Sequence, residues 1–374
     1  MAGEQRLKLL FVVTEDWYFV SHRLPLAVAA REAGFDVVVA TRVGEHGETI
    51  RAAGIRLIPL GLSRRRGNPF QEIVTLVRLY RRERPDIVHH VALKAVLYGA
   101  LAARVAGVPG RVNAVTGLGW LFTSAKGITR IIRPAVRLTL AWLLKARGSL
   151  TIVQNPDDRD LLIRSHLPEH RLRLIRGAGV DTAAFYPVPE PTGTVCIMLA
   201  ARMLWDKGVG EFVEAARLLT QAGVHARFIL VGDPDPGNPA SVPEASLRAW
   251  HEKNGVEWWG RRDNMPAAFH SAHIACLPSY REGLPKSLLE AAACGLPIVT
   301  TDAPGCREIV RDGDNGFLVP VRDAQTLAVA LQGLIDNPVL RAEMGLRSRE
   351  IVLAQFSREQ IIAETLAVYR ELTQ

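Results

Sequence analysis

Two glutamates eight positions apart, Glu282 and Glu290, stand in the segment Ser279-Tyr-Arg-Glu-Gly-Leu-Pro-Lys-Ser-Leu-Leu-Glu-Ala291. Pro285 suits the first turn of a helix, which puts Glu282 in the loop before it and Glu290 inside it. The free amides of such a helix start, around Gly283 and Leu284, would meet an anionic or polar ligand. Glu290 shares its helix with Leu288, Leu289 and Ala291–Ala293, and a carboxylate in apolar surroundings needs partners. Vicinal sugar hydroxyls would serve, and so would a neighbouring lysine or backbone group. A second segment, Ala200-Ala-Arg-Met-Leu-Trp-Asp-Lys-Gly208, carries two cations, Arg202 with a planar fork and Lys207 with a point charge. Two ordinary surface bases are one reading of them.

The elements that must position these residues are legible from hydrophobic runs. Strands are predicted at Lys8–Val13, Phe35–Thr41, Arg56–Leu60, Asp86–Val91, Arg111–Thr116, Leu150–Gln154 and Arg173–Arg176. The pattern then starts afresh at Val195–Ala200, Phe228–Val231, Val256–Trp259, Ile274–Leu277, Pro297–Thr301 and Phe317–Val319. Helical patterns fill the gaps, one of them opening with Pro25 and ending at Gly34. Prolines 187, 189 and 191 make an extended linker between the two series. The expected fold is therefore α/β, with two Rossmann-like doubly wound domains facing across a cleft. Their bounds are residues 1–187 and 188–356, with a C-terminal helix, 357–374, returning to the first domain. Ligands of open α/β sheets bind beyond the strands' carboxyl ends. Neither GxGxxG nor GxxxxGK[ST] occurs, which weakens dinucleotide and P-loop readings.

In this strand–loop–helix setting the Glu-x7-Glu element resembles the signature of the family-4 retaining glycosyltransferases of GT-B fold. Further matching pieces are Leu230-Val-Gly-Asp-Pro, Asn264-Met-Pro, Thr301-Asp-Ala-Pro-Gly-Cys-Arg-Glu-Ile-Val and Asn315-Gly-Phe-Leu-Val-Pro. In the first half they are Trp17-Tyr-Phe-Val-Ser-His-Arg-Leu-Pro, Val115-Thr-Gly-Leu-Gly and Gly177-Ala-Gly-Val-Asp181. The resemblance implies that Glu290 holds the ribose of a UDP- or GDP-sugar, and that Glu282 with Gly283 and Leu284 holds the donor sugar. Pro285, Lys286 and Gly232 complete the donor-binding set, and Arg202 and Lys207 neutralise the departing diphosphate. It also implies retention of configuration and a polyprenyl-diphosphate-linked sugar as acceptor, in surface-polysaccharide assembly. No metal cofactor is expected. Asp233-Pro-Asp235 has carboxylate spacing but reads as a proline-set turn. The chain departs from many relatives in lacking a glycine-rich loop after the first strand and a histidine after the fifth. His22, Thr116 and Gly117 are the candidate cleft or acceptor residues, and His89 and His90 end a strand on the cleft side, one of them facing the core.

With 374 residues, 48% of them hydrophobic and 22% charged, the composition is that of a folded protein of two domains. Cys196, Cys276, Cys294 and Cys306 have neither CxxC spacing nor proximity, so buried thiols in a reducing compartment are expected. The apolar run Leu9–Val13 is too short for a secretory signal, and no stretch is long and uncharged enough to span a bilayer. Charge is uneven: residues 1–185 carry 28 Lys+Arg against 15 Asp+Glu, while the remainder has a net charge of −5. Arg64–Arg66 and the bases Arg130, Arg133 and Arg137, at helical spacing among Trp120, Ile131 and Ile132, suit a peripheral contact with an anionic membrane at the cytoplasmic face. An ordinary domain helix is the alternative. Two rival functions are a nucleotide-sugar epimerase of the same architecture and a non-catalytic nucleic-acid binder. No RNA- or DNA-binding motif accompanies the basic charge, so no nucleic-acid partner is expected.

Overall fold

The computed structural model describes residues 6–62, 67–116, 136, 138–253 and 255–373. The chain divides into two compact units, one of residues 1–178 and 361–374 and the other of residues 179–360.

The first unit is built on a seven-stranded sheet of β1 (Lys8–Glu15), β2 (Asp36–Arg42), β3 (Arg56–Pro59), β4 (Ile87–Val91), β5 (Gly110–Val115), β6 (Ser149–Val153) and β7 (Leu172–Leu174). Every pairing is parallel, in the order β3-β2-β1-β4-β5-β6-β7. Parallel strands covered on both faces are buried along their length, as Leu9–Val12 of β1 and Ile87–Val91 of β4 are, the latter including two histidines. β7 falls one residue before its predicted start, where Leu172–Leu174 align with Thr151–Val153. β1 runs on to Glu15 and passes into a short helix, Asp16–His22, the element that stands in place of a glycine-rich loop. Asp16 fixes that exit: its carboxylate accepts hydrogen bonds from the amides of Trp17 (2.7 Å), Gly44 (2.6 Å) and His46 (3.0 Å).

One expectation fails on β4. Both His89 and His90 lie within the strand and are fully buried, so two imidazoles, not one, face the core. His89 stacks on Phe11 and its Nδ1 lies 2.6 Å from the Tyr369 hydroxyl, while His90 lies between Tyr80 (3.0 Å) and Asn113 (2.9 Å). Alternation along the strand sends the two rings to opposite faces, and helices cover both faces. Burial drives both imidazoles towards the neutral form, His90 down to about 4.

The second unit carries a six-stranded parallel sheet of β8 (Cys196–Ala200), β9 (Arg227–Val231), β10 (Val256–Gly260), β11 (Ile274–Leu277), β12 (Ile298–Thr301) and β13 (Gly316–Val319), in the order β10-β9-β8-β11-β12-β13. Its four thiols are free and buried, and burial pushes those of Cys196, Cys294 and Cys306 up to about 12.

The division between units lies at 178/179, ahead of the predicted 187/188. The proline segment is bound to the second unit: His270 Nε2 meets the Tyr186 carbonyl (2.8 Å), His273 Nε2 the Pro191 carbonyl (3.0 Å), and Arg341 pairs with Glu190 (2.7 Å). The C-terminal helix, Arg358–Glu371, gives its first residues to the second unit and the rest to the first. There Tyr369 is fully buried against Phe35 and His89. Among the described residues no helix is long and apolar enough to cross a membrane.

Candidate active site

Strand order reverses in the second sheet between β8 and β11, which lie side by side with Ile197 opposite Ile274 and Met198 opposite Ala275. A reversal leaves the two following loops diverging from one point at the carboxyl edge, where open sheets take ligands. The loop after β8 carries Arg202 and Lys207, and that after β11 carries Glu282. The carbonyl of Asp206 receives the Tyr280 amide at 2.9 Å and lies 3.1 Å from the Ser279 hydroxyl, tying one loop to the other. Gly208 makes this approach feasible: its φ is +73°, and a β-carbon there would lie 2.1 Å from the Pro278 carbonyl oxygen.

Lys207 and Glu282 form an ion pair across the joined loops, with side chains 19% and 11% exposed. Ser279 Oγ stands 2.7 Å from the same carboxylate oxygen. The loop after β12 supports them from behind, the Pro304 carbonyl accepting from the Glu282 amide at 2.9 Å. Gly305, at φ +82°, packs so closely that a β-carbon would meet the Glu282 carbonyl at 2.6 Å. A half-buried pair fixed in this way keeps a cation and a carboxylate poised for exchange with a polar ligand.

Glu290 projects from the helix Lys286–Ala293, whose Leu288, Leu289 and Ala291–Ala293 are buried in the core. Its carboxylate is itself buried, and Lys286 Nζ lies 2.9 Å away, one helical turn back. Of the partners left open by the sequence, the neighbouring lysine is the one present. No side chain caps this helix; Pro285 is its N-cap residue, and Leu284 packs on the core just before it. The helix start beside Gly283 therefore presents backbone donors and the positive end of the dipole.

Arg202 takes a different partner, donating to Asp235 at 2.6 Å. Asp233 accepts from the Arg261 amide at 3.0 Å and Pro234 forms a parallel bridge with Met203, so Asp233-Pro-Asp235 is a short extended segment and the expected turn starts only at Pro236. Gly232 sits between strand ends, its amide bonded to the Gly260 carbonyl and its carbonyl to the Trp258 indole, both at 2.9 Å. The structure thus joins Lys207 with Glu282 and Lys286 with Glu290, and holds Arg202 apart on Asp235. Among the described residues no group of three or more His, Cys, Asp or Glu is placed to hold a metal ion.

Sequence reasoning missed Ser279 and the Asp206 carbonyl, whose roles come from loop contact and leave no spacing signal. It missed Tyr280 as well, whose hydroxyl donates to Glu211 at 2.6 Å while Arg322 lies 4.6 Å over its ring. Burial and Glu211 push that phenol up to about 12.

In the first unit His22 is half-buried and stacked on Tyr18, ring centroids 4.2 Å apart. Thr116 follows β5, two strands away from β1, so the sheet does not bring them together. Gly117, Arg64–Arg66 and the segment containing Trp120, Arg130, Arg133 and Arg137 lie outside the described residues.

Two family models match, together over more than three quarters of the chain: a glycosyl transferase 4-like model at residues 8–153 and a glycosyl transferases group 1 model at residues 194–337. A Campylobacter jejuni N,N'-diacetylbacillosaminyl-diphospho-undecaprenol alpha-1,3-N-acetylgalactosaminyltransferase is 27% identical over 93% of this chain and 94% of its own. An Escherichia coli UDP-Gal:alpha-D-GlcNAc-diphosphoundecaprenol alpha-1,3-galactosyltransferase is 26% identical over 72% of this chain and 71% of its own. Among solved structures, Anabaena HepE in complex with UDP and glucose superposes over 97% of this chain and 100% of its own, at a TM-score of 0.78 and 20% identity. Sucrose-phosphate synthase from Thermosynechococcus elongatus does so over 98% and 99%, at a TM-score of 0.80 and 21% identity. These likenesses give the GT-B fold, and the transferase names of the sequence relatives disfavour the epimerase reading. With both halves matched in order and the Glu282–Glu290 element set at the sheet's reversal, the chain belongs to the family-4 type of glycosyltransferases.

Proposed function

We propose that this glycosyltransferase moves a sugar from a UDP-sugar to a polyprenyl-diphosphate-linked sugar, with retention of configuration and without a metal ion. The observation that carries this reading is the Lys207–Glu282 pair at the reversal of the second sheet, beside the uncapped helix that bears Glu290. In it the second unit binds the donor and the first the acceptor. Glu290 exchanges Lys286 for the ribose hydroxyls, and Glu282, with the amides of Gly283 and Leu284, holds the donor sugar. Lys207 and Arg202 leave their carboxylates for the diphosphate.

Transfer breaks the bond between the sugar's anomeric carbon and the diphosphate oxygen and forms one to an acceptor hydroxyl on the same face. The acceptor proton passes to the departing phosphate oxygen, so no protein base is required. Two cations and a helix dipole offset the charge that grows on the leaving group, the function a metal serves in other transferases. The relatives' undecaprenyl-diphosphate acceptors support the lipid-linked class, and UDP in HepE supports the nucleotide. The positive charge of residues 1–185 suits an anionic membrane surface at the cytoplasmic face.

Release of UDP that depends on a prenyl-diphosphate-linked sugar, with proton NMR of the product's anomeric coupling, tests the reading. An α-linked product from an α-linked donor is expected, and an inverted product, or UDP release unaffected by acceptor, contradicts it.

A further inference from the structure

Strand order in the first sheet reverses between β1 and β4, and the chain leaves β1 through the helix Asp16–His22 to reach Arg23. Arg23 is only 4% exposed. Among the described residues no carboxylate pairs with its guanidinium, and its Nε has no hydrogen-bond partner. Its charge falls on His89 and Tyr369, two groups that burial keeps neutral. A guanidinium taken out of water without a counter-charge is costly, so a native cation of this kind awaits an anion.

A recess of about 10 Å³, walled by His22, Arg23, Pro25, Ala178, Ile361 and Thr365, opens beside it. That volume admits roughly one water-sized group. A neutral water there would leave the charge uncompensated, whereas one oxygen of a phosphoryl group would neutralise it. The same corner holds an aromatic face: Tyr18 and His22 are parallel at 4.2 Å, and Trp17 meets Tyr18 edge-on at 5.8 Å. Aromatic faces pack against the C–H faces of sugar rings, so phosphate and sugar recognition adjoin.

We propose that Arg23 is the phosphoryl receptor of the acceptor, taking one non-bridging oxygen of the sugar-linked diphosphate while the Trp17–Tyr18–His22 face takes the sugar. This rests on the lipid-linked acceptor proposed above.

Calorimetry on protein saturated with UDP, which fills the second unit's phosphate site, would compare two probes: a farnesyl-diphosphate-linked sugar and the farnesyl glycoside of the same sugar. In Arg23→Gln the diphosphate probe should bind about tenfold more weakly or worse, the loss of one charge-assisted hydrogen bond. Affinity for the neutral probe and for UDP should stay within about twofold of wild type. Arg23→Lys should recover part of the loss, and carries the test alone if Arg23→Gln fails to fold. Equal weakening of both probes, or weakening of neither, overturns the role of Arg23 and leaves the transferase reading standing. Failure of wild type to bind either probe overturns both.

Discussion

Lys207 and Glu282 hold each other in an ion pair across the two joined loops. Lys207→Ala removes a cation from the departing diphosphate and leaves Glu282 half-buried without its partner. kcat should fall by about 10²–10³-fold, as for loss of one preorganised charge at a transition state, measured as UDP release at saturating donor. Glu290→Gln keeps the shape of the side chain but weakens its hold on ribose, so UDP should bind about tenfold more weakly by calorimetry with thermal stability little changed. Residues of this kind were legible because the loop–helix transition and the Glu-x7-Glu spacing lie within one segment. The Asp206 carbonyl and Asp235 were not, because their contacts with Ser279 and Arg202 join segments far apart in sequence.

At the scale of elements, the site depends on how closely the loops after β8 and β11 approach. Gly208→Ala places a side chain in the left-handed region, at a cost of about 1–2 kcal/mol, and sets its β-carbon against the Pro278 carbonyl. The loops must part to admit it, so donor affinity should fall more than the loss of stability accounts for; a melt and a UDP titration on one sample separate the two effects. Two histidines of the core strand β4 contribute a pH dependence. His89 and His90 are neutral in the folded protein well below the ordinary imidazole range, while the unfolded chain takes up protons near pH 6.5. Between that value and about 4, the depressed value of His90, the unfolded state binds more protons. Stability is therefore complete above the unfolded value and declines as pH falls through this window. His90→Gln should flatten the slope of melting temperature against pH, and an unchanged slope would contradict the assignment. The strands themselves were legible from hydrophobic runs between helical patterns. Histidine in β4 was misread because burial on both faces of a parallel strand is a property of the assembled sheet, which the alternating side chains do not reveal.

Over the whole molecule, the two halves differ in charge and in the task proposed for each. UDP binding should stabilise the second unit, by about 2.7 kcal/mol at a hundredfold excess over its Kd. Hydrogen exchange with UDP should then slow within residues 179–360, foremost at 201–208 and 279–290, and leave the sheet of the first unit unaffected. The division of the chain was nearly legible from its prolines. Its displacement to 178/179 was not, since the contacts of His270, His273 and Arg341 with the proline segment exist only once the second unit has folded.

In the function proposed above, one site on the second unit drives transfer from a UDP-sugar to a lipid-linked sugar. Acceptor-dependent UDP release across a panel of UDP- and GDP-sugars, in wild type, Lys207→Ala and Glu290→Gln, tests it most directly. Release is expected with at least one UDP-sugar only when a prenyl-diphosphate-linked sugar is present, with turnover lost in the first variant and donor affinity in the second. Full activity in both variants, or conversion of the sugar nucleotide without an acceptor, would contradict it.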